Sequence, residues 1–316
     1  MRIPILFPSR GTIACKLASE LASHISGANM RIIHELDEMT EVARGWIMGG
    51  AVGFVPTMGN LHNGHLTLIR AAHKECEMSV VSIFVNALQF PSLSAAQHYP
   101  HTIQRDLQLL RTTDVDVVFL PSHEAVYPPT FSTYITPIGS LAERIASERG
   151  IEFVRGFSTG IMKFLQIVRP DVAFFGQNEV QQVALVRQLV RDLSVDVTLR
   201  ILPIVREHDG LAASSLNIRL SREQRHAATS LYKALLAGKT LIEQGERQPT
   251  VIKQAIQAVL AAQPQLSLPN ICLCHPDTFQ EMEEATPGML LRISAQIEDI
   301  HLTDNIVWMA NGQWRT

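Results

Sequence analysis

His62 and His65 stand three residues apart in Gly59-Asn-Leu-His-Asn-Gly-His-Leu66. Residues at that spacing share one face of a helix, and these two fall at the start of a helical pattern, where unpaired backbone N–H groups and the macrodipole favour an anion. A phosphate is the natural guest. Two imidazoles so placed can donate hydrogen bonds to charge that develops on a phosphate in a transition state. Gly64 removes the side chain between them, which leaves the backbone open to a flat base or a phosphate. Taken alone the tetrapeptide is weak, because two histidines on a helix face are ordinarily plain surface or core residues. Its weight comes from the elements around it.

Ala51-Val-Gly-Phe-Val55 reads as a buried strand, Pro56-Thr-Met-Gly59 as a tight loop, and the stretch from 63 as a helix with one apolar face. The same alternation continues on both sides. Strands are expected near Arg31–His34, at Met78–Val85, Val115–Leu120, Asp171–Phe175 and Asp196–Leu202. Helices are expected over 36–47, 100–112, Ser140–Glu148, Thr159–Val168 and Glu179–Leu193. Such alternation predicts a parallel sheet covered by helices on both faces. Ligands of these sheets bind at the carboxyl ends of the strands, where the loops after Val55, Val85, Phe175 and Leu202 converge. Beyond Val205 the texture changes to a long helix (Ser221–Gln244), a second helix (Thr250–Ala262) and short strands near Asn270–Cys274, Gly288–Ile293 and Ile297–His301, which reads as a smaller α+β unit.

The chain has 316 residues and a formal net charge of −3, so it is long enough for one large or two ordinary domains and carries no electrostatic footprint for nucleic acid or an acidic membrane. Cys15, Cys76, Cys272 and Cys274 lack both CxxC and Cys/His ligand spacing. This argues for reduced thiols in a cytoplasmic setting and against a disulfide frame or a zinc site. Cys272 and Cys274 read as same-face residues of a strand. No run approaches the length of a membrane-spanning helix, and Ile3-Pro-Ile-Leu-Phe7 is too short and proline-broken for a signal-peptide core.

Two further strand ends carry polar groups. Val85-Asn-Ala-Leu-Gln-Phe90 offers Asn86 and Gln89, each with donors and acceptors for a polar substrate. Phe175-Gly-Gln-Asn-Glu-Val-Gln-Gln182 occupies another strand-to-helix turn, again a place for phosphate. Together with the His62–His65 segment and Arg206-Glu-His-Asp-Gly-Leu-Ala-Ala-Ser-Ser-Leu-Asn-Ile-Arg-Leu-Ser221, these motifs resemble, in type and order, those of pantothenate synthetases. That family belongs to the HxGH nucleotidylyltransferase superfamily, which also includes class I aminoacyl-tRNA synthetases. The resemblance runs from Met30 nearly to the end. It leaves residues 1–29 as an extension expected to be dispensable for folding and binding.

The resemblance implies an α/β fold, a Rossmann-like doubly wound parallel sheet over residues 30–212 that binds ATP and pantoate, with a smaller α+β lid domain over 213–316. It implies attack of pantoate on the α-phosphorus of ATP to give pantoyl adenylate and pyrophosphate, after which β-alanine displaces AMP. Mg²⁺ would bridge the phosphates, and the protein would be a cytoplasmic homodimer. His62 and His65 carry over as catalytic residues. ATP contacts carry over to Met58, Gly59, Asn60, Leu61, His62, Asn63, Gly64 and His65, to the turn Gly176, Gln177, Asn178 and Glu179, and to Val205, Ala213, Ser214, Ser215 and Leu216. Pantoate falls to Gln89, Gln182, Asn86 and Met58, with an apolar wall at Pro56, Met58, Ile161, Phe164 and Phe175. No protein metal ligand is implied.

Several positions depart from the family pattern. Asn178 and Glu179 stand where Lys and Asp are expected, Leu216 replaces an arginine, Ala87 replaces a proline, and Ser147-Glu-Arg-Gly-Ile-Glu-Phe-Val-Arg-Gly156 only approximates Arg-Pro-Gly-His-Phe-x-Gly. Asn178 can donate a hydrogen bond but cannot neutralise phosphate charge. Arg149 approximates the arginine of the Ser147–Gly156 segment, and the histidine there has no match. Reduced activity is therefore expected, with Arg219 or Lys163 as substitute cations. Two other readings stay open on the same residues: a non-catalytic nucleotide- or metabolite-binding relative, and an adenylate-forming ligase for another acid.

Overall fold

The computed structural model describes residues 30–46, 49–90 and 92–316. The extension 1–29, with Cys15, and the expected helix end at residue 47 lie outside the described residues. Six parallel strands form one sheet: β1 (Arg31–Ile33), β2 (Val52–Thr57), β3 (Met78–Ile83), β4 (Val117–Phe119), β5 (Val172–Gly176) and β6 (Thr198–Leu202), in the order β1-β4-β3-β2-β5-β6. Every residue of β3 is buried, as expected of a strand covered on both faces. The chain winds from β2 outward through β3 and β4, then crosses back to β5 and β6. The winding therefore reverses between β2 and β5, which are themselves neighbours, and a crevice opens at such a point.

Helix 63–75 buries Leu66, Ile69 and Ala72 beneath this crevice. Helix 151–168 covers the opposite face, where Phe164 packs its ring 5.3 Å from that of Phe84 and 5.5 Å from that of Phe119. The sequence places the start of this helix at Thr159, yet it begins at Ile151. Phe153, Val154 and Phe157 are buried and extend the apolar face toward the N-terminus. Gly156 and Gly160, which weaken helix propensity locally, are required by close contact. A Cβ on Gly156 would lie 2.1 Å from the Leu88 carbonyl oxygen, and one on Gly160 would lie 2.4 Å from the Asn86 amide nitrogen.

The C-terminal unit is a four-stranded antiparallel sheet, β7 (Ser267–Cys274), β8 (Leu290–Ile297), β9 (Ile300–Trp308) and β10 (Trp314–Arg315), in the order β10-β9-β8-β7. The single helix expected over Ser221–Gln244 is two, Arg222–Ala228 and Ser230–Glu243. Thr229 and Ser230 donate their hydroxyls to the carbonyls of His226 and Ala227, a competition with the backbone ladder that bends helices. β9 runs on to Trp308, well past the expected end at His301. Cys272 and Cys274 share a face of β7, and both are free, as is Cys76. Among the described residues no helix is long and apolar enough to cross a membrane.

Two buried ion pairs join the units. Arg206 donates to both carboxylate oxygens of Asp304 at 2.7 and 2.9 Å. Glu148 accepts twice from Arg292, once from Ser294 and once from Gln181, all within 2.9 Å.

Candidate active site

The helix that carries the two histidines is capped by them. His62 is the N-cap, and its Nδ1 accepts from the backbone N–H of Gly64 at 3.1 Å; His65 Nδ1 accepts from the backbone N–H of His62 at 3.4 Å. Serine or threonine with glutamate normally fills these two roles. A backbone N–H can only donate, so each Nδ1 is unprotonated and each ring carries its proton on Nε2. Burial, with Arg105 nearby and against the pull of Glu207, lowers the His62 pKa to about 4. Burial and the neighbouring His62 hold His65 well below the usual imidazole range. Both rings, with centroids 4.0 Å apart, are therefore neutral hydrogen-bond donors. A Cβ on Gly64 would meet the His62 ring at 2.8 Å. A side chain at 64 would therefore disturb the cap itself.

The preceding loop is fixed by Asp106, fully buried, whose two oxygens accept from the backbone N–H groups of Asn60 and Leu61 at 2.8 and 2.9 Å. Asn60, with φ +49, also binds the Ser214–Ser215 segment: its amide donates to the Ser215 carbonyl at 2.6 Å and its own carbonyl accepts from Ser215 Oγ at 3.1 Å. A cavity of about 540 Å³ opens over these elements at the β2/β5 crossing. Of the residues singled out in the sequence, Met58, His62, Gly64, His65, Asn86, Gln89, Gly176, Asn178, Glu179, Gln182, Val205, Ala213, Ser214, Ser215 and Leu216 line it, as do the apolar Pro56, Ile161, Phe164 and Phe175. Gly59, Asn60, Leu61, Asn63 and Gln177 do not. Leu61 is fully buried, and the Gln177 amide turns to Asn305 Oδ1 at 3.0 Å.

Asn86 is held by its amide bond to the Gly156 carbonyl at 2.9 Å, so the Asn86–Gln89 loop lies flat on the strip made by Gly156 and Gly160. The Gly-x-x-x-Gly spacing was the available signal for that close approach. Tyr99 and His301 line the cavity too. No local motif marked either of them. Tyr99 arrives from the segment beyond Phe90, and His301 from β9, at the far end of the chain.

Two substitute cations expected from the sequence are engaged elsewhere and do not line the cavity. Lys163 donates to the Val126 carbonyl at 2.7 Å and sits 4.7 Å over the Phe131 ring. Arg219 pairs with Asp299. Arg149 does line it. Its guanidinium stacks 4.1 Å over the Phe153 ring. Glu179 lines the cavity as well; burial pushes its carboxyl up while the charge of Arg149 pulls it down. No group of three metal-ligating side chains forms among the described residues.

Fold and cavity together define an α/β nucleotide-binding protein of the kind that takes its ligand at the carboxyl ends of parallel strands. The pantoate-beta-alanine ligase model matches residues 31–307, and the chain belongs to that family. Pantothenate synthetase of Thermosipho africanus is 40% identical over 279 residues, which cover 88% of this chain and 100% of that one. That of Chloroflexus aurantiacus is 39% identical over 286 residues, 90% and 99% of the two chains. The crystal structure of pantothenate synthetase from Thermus thermophilus superposes with a TM-score of 0.83 at 34% identity, covering 89% of this chain and 100% of its own. A Francisella tularensis pantoate-beta-alanine ligase, complexed with beta-gamma ATP and beta-alanine, superposes with a TM-score of 0.70 at 29% identity, covering 88% and 98%.

Proposed function

We propose that the protein condenses pantoate with β-alanine at the expense of ATP, through a pantoyl adenylate. The observation that carries this reading is the convergence of the His62–His65 helix start, Gln89, Gln182 and the Ser214–Ser215 segment on one cavity, in a chain that belongs to the pantoate–β-alanine ligase family. The pantoate carboxylate attacks the α-phosphorus, the bond to the β-phosphate oxygen breaks, and pyrophosphate leaves. The amine of β-alanine then attacks the acyl carbon and AMP departs with the electron pair of the acyl–oxygen bond.

His62 and His65 donate from Nε2 to oxygens of the transferring phosphate. Gln89 and Gln182 hold the hydroxyl and carboxylate of pantoate, its methyl groups rest on Pro56, Met58, Ile161, Phe164 and Phe175, and Ser214, Ser215 and the Gly176 turn hold the triphosphate. The cavity is lined by hydroxyls and by Glu148, Glu179 and Asp304, but no group of three metal-ligating side chains forms among the described residues. In this reading Mg²⁺ would accompany the nucleotide and partly neutralise its charge. The domain boundary near 212/213, a homodimeric state and a cytoplasmic location belong to the same reading.

Pyrophosphate release tests it. Release should require pantoate, should not require β-alanine in the first turnover, and should be followed by pantothenate when β-alanine is added. Release with another acid but not with pantoate would overturn the substrate assignment, and nucleotide binding with no release would leave a non-catalytic relative.

A further inference from the structure

We infer that Arg149 is the cation that meets the nucleotide's phosphates in this cavity, taking over the work of basic side chains at 178 and 216. The inference rests on the reading of the cavity as an ATP site. A triphosphate remains anionic after Mg²⁺ binds, and the cavity wall offers it little positive charge. Asn178 and Leu216 carry none, the His62 and His65 rings are neutral, and Lys163 and Arg219 are turned to other partners. Among the described residues that line the cavity, the Arg149 guanidinium is the one side chain with a permanent positive charge.

Arg149 is also uncommitted. Its neighbour in sequence, Glu148, is consumed by Arg292, Ser294 and Gln181, and among the described residues no carboxylate oxygen lies within 4.0 Å of Arg149. Stacking on Phe153 fixes the plane of the guanidinium, and among the described residues its N–H donors have no hydrogen-bond acceptor. Its position favours phosphate over the carboxylate of the acid. Arg149 acts electrostatically on Glu179, the residue that follows Asn178 in the strand-to-helix turn. Arg149, at the end of helix 140–149, lines the same cavity as Asn178 and Glu179 of the turn from which the family's lysine would project. A planar guanidinium can engage two phosphate oxygens at once while carrying a full positive charge, which neither Asn178 nor Leu216 supplies.

The test is calorimetric titration of the full chain with MgATP, adenosine and pantoate, each alone. Arg149→Gln should raise the Kd for MgATP at least tenfold while leaving those for adenosine and pantoate within twofold of the parent. Adding Asn178→Lys to that variant should recover most of the lost MgATP affinity. Arg149→Met, which keeps an apolar stem on Phe153, should behave like Arg149→Gln and replaces it if the glutamine variant does not fold. An unchanged MgATP Kd overturns the inference, and so does weakening confined to pantoate, which would assign Arg149 to the acid. Failure of the parent chain to bind MgATP at all would instead overturn the reading of the cavity.

Discussion

At the residue scale, the two histidines serve as helix cap and as candidate catalytic groups through opposite edges of the same rings. The Nδ1 edges accept backbone N–H groups, and this leaves the Nε2–H edges for substrate. Activity should therefore need neutral imidazoles, and the rate of adenylation should show no inflection from them near the ordinary imidazole value of about 6.5. Protonation of His62 would remove its cap acceptor only as the pH falls through about 4. The sign for stability follows: below the ordinary imidazole value the unfolded chain takes up the proton first, so this histidine disfavours the folded state progressively from there down to about pH 4. A proton NMR titration of His62 giving an ordinary imidazole value would refute the assignment. His65→Ala should lower pantoate-dependent pyrophosphate release by on the order of a hundredfold or more, with a larger effect on rate than on the thermal melt. Gly64→Ala presses on the His62 ring and should cost about 1–3 kcal/mol of stability, with loss of activity in step, read by denaturant unfolding and the same assay.

At the element scale, the end of helix 140–149 is tied to β8 by Glu148 and Arg292. Arg292 is only 3% exposed, so removing its partner leaves a buried charge without compensation. Glu148→Gln should cost about 3–5 kcal/mol, measured by urea unfolding at neutral pH. Burial pushes the Glu148 carboxyl up, but Arg292, Ser294 and Gln181 outweigh it and hold the group below the usual value. A carboxyl lowered by folding contributes stability that is present above the ordinary glutamate range and is lost as pH falls through the folded value. The gap between parent and variant should accordingly narrow on acidification; a constant gap would show that shape, and not charge, is what Glu148 supplies. Because Arg149 follows directly, loosening of this tie should also weaken MgATP binding.

At the scale of the whole molecule, the cavity is walled by both units, from the loops of the parallel sheet and from His301, Leu302, Thr303 and Asp304 of β9. The joint between them includes the Arg206–Asp304 pair, its side chains 12% and 3% exposed, with Arg206 stacked 3.5 Å over the Tyr232 ring. Asp304→Ala should uncouple the units. With Trp46, which packs on the parallel-sheet core, replaced by phenylalanine in both proteins, Trp308 and Trp314 report on the C-terminal sheet, so their fluorescence transition should precede the circular-dichroism transition in the variant while the two coincide in the parent. Coincident transitions in both proteins would mean that apolar packing alone couples the units. The strand-loop-helix unit around His62, the polar strand ends at Gln89 and Gln182 and the alternation of strands and helices were legible in the sequence, because each is encoded within a short local stretch by periodicity and turn chemistry. The break at Thr229, the early start of helix 151–168, the inward face of Gln177 and the freedom of Arg149 were not. Each depends on a partner distant in the chain or on hydroxyls competing for the local backbone. Arg149 is the clearest case: its sequence puts a glutamate beside it, and only the packing of β8, 144 residues beyond Glu148, takes that glutamate away and leaves the guanidinium facing the cavity.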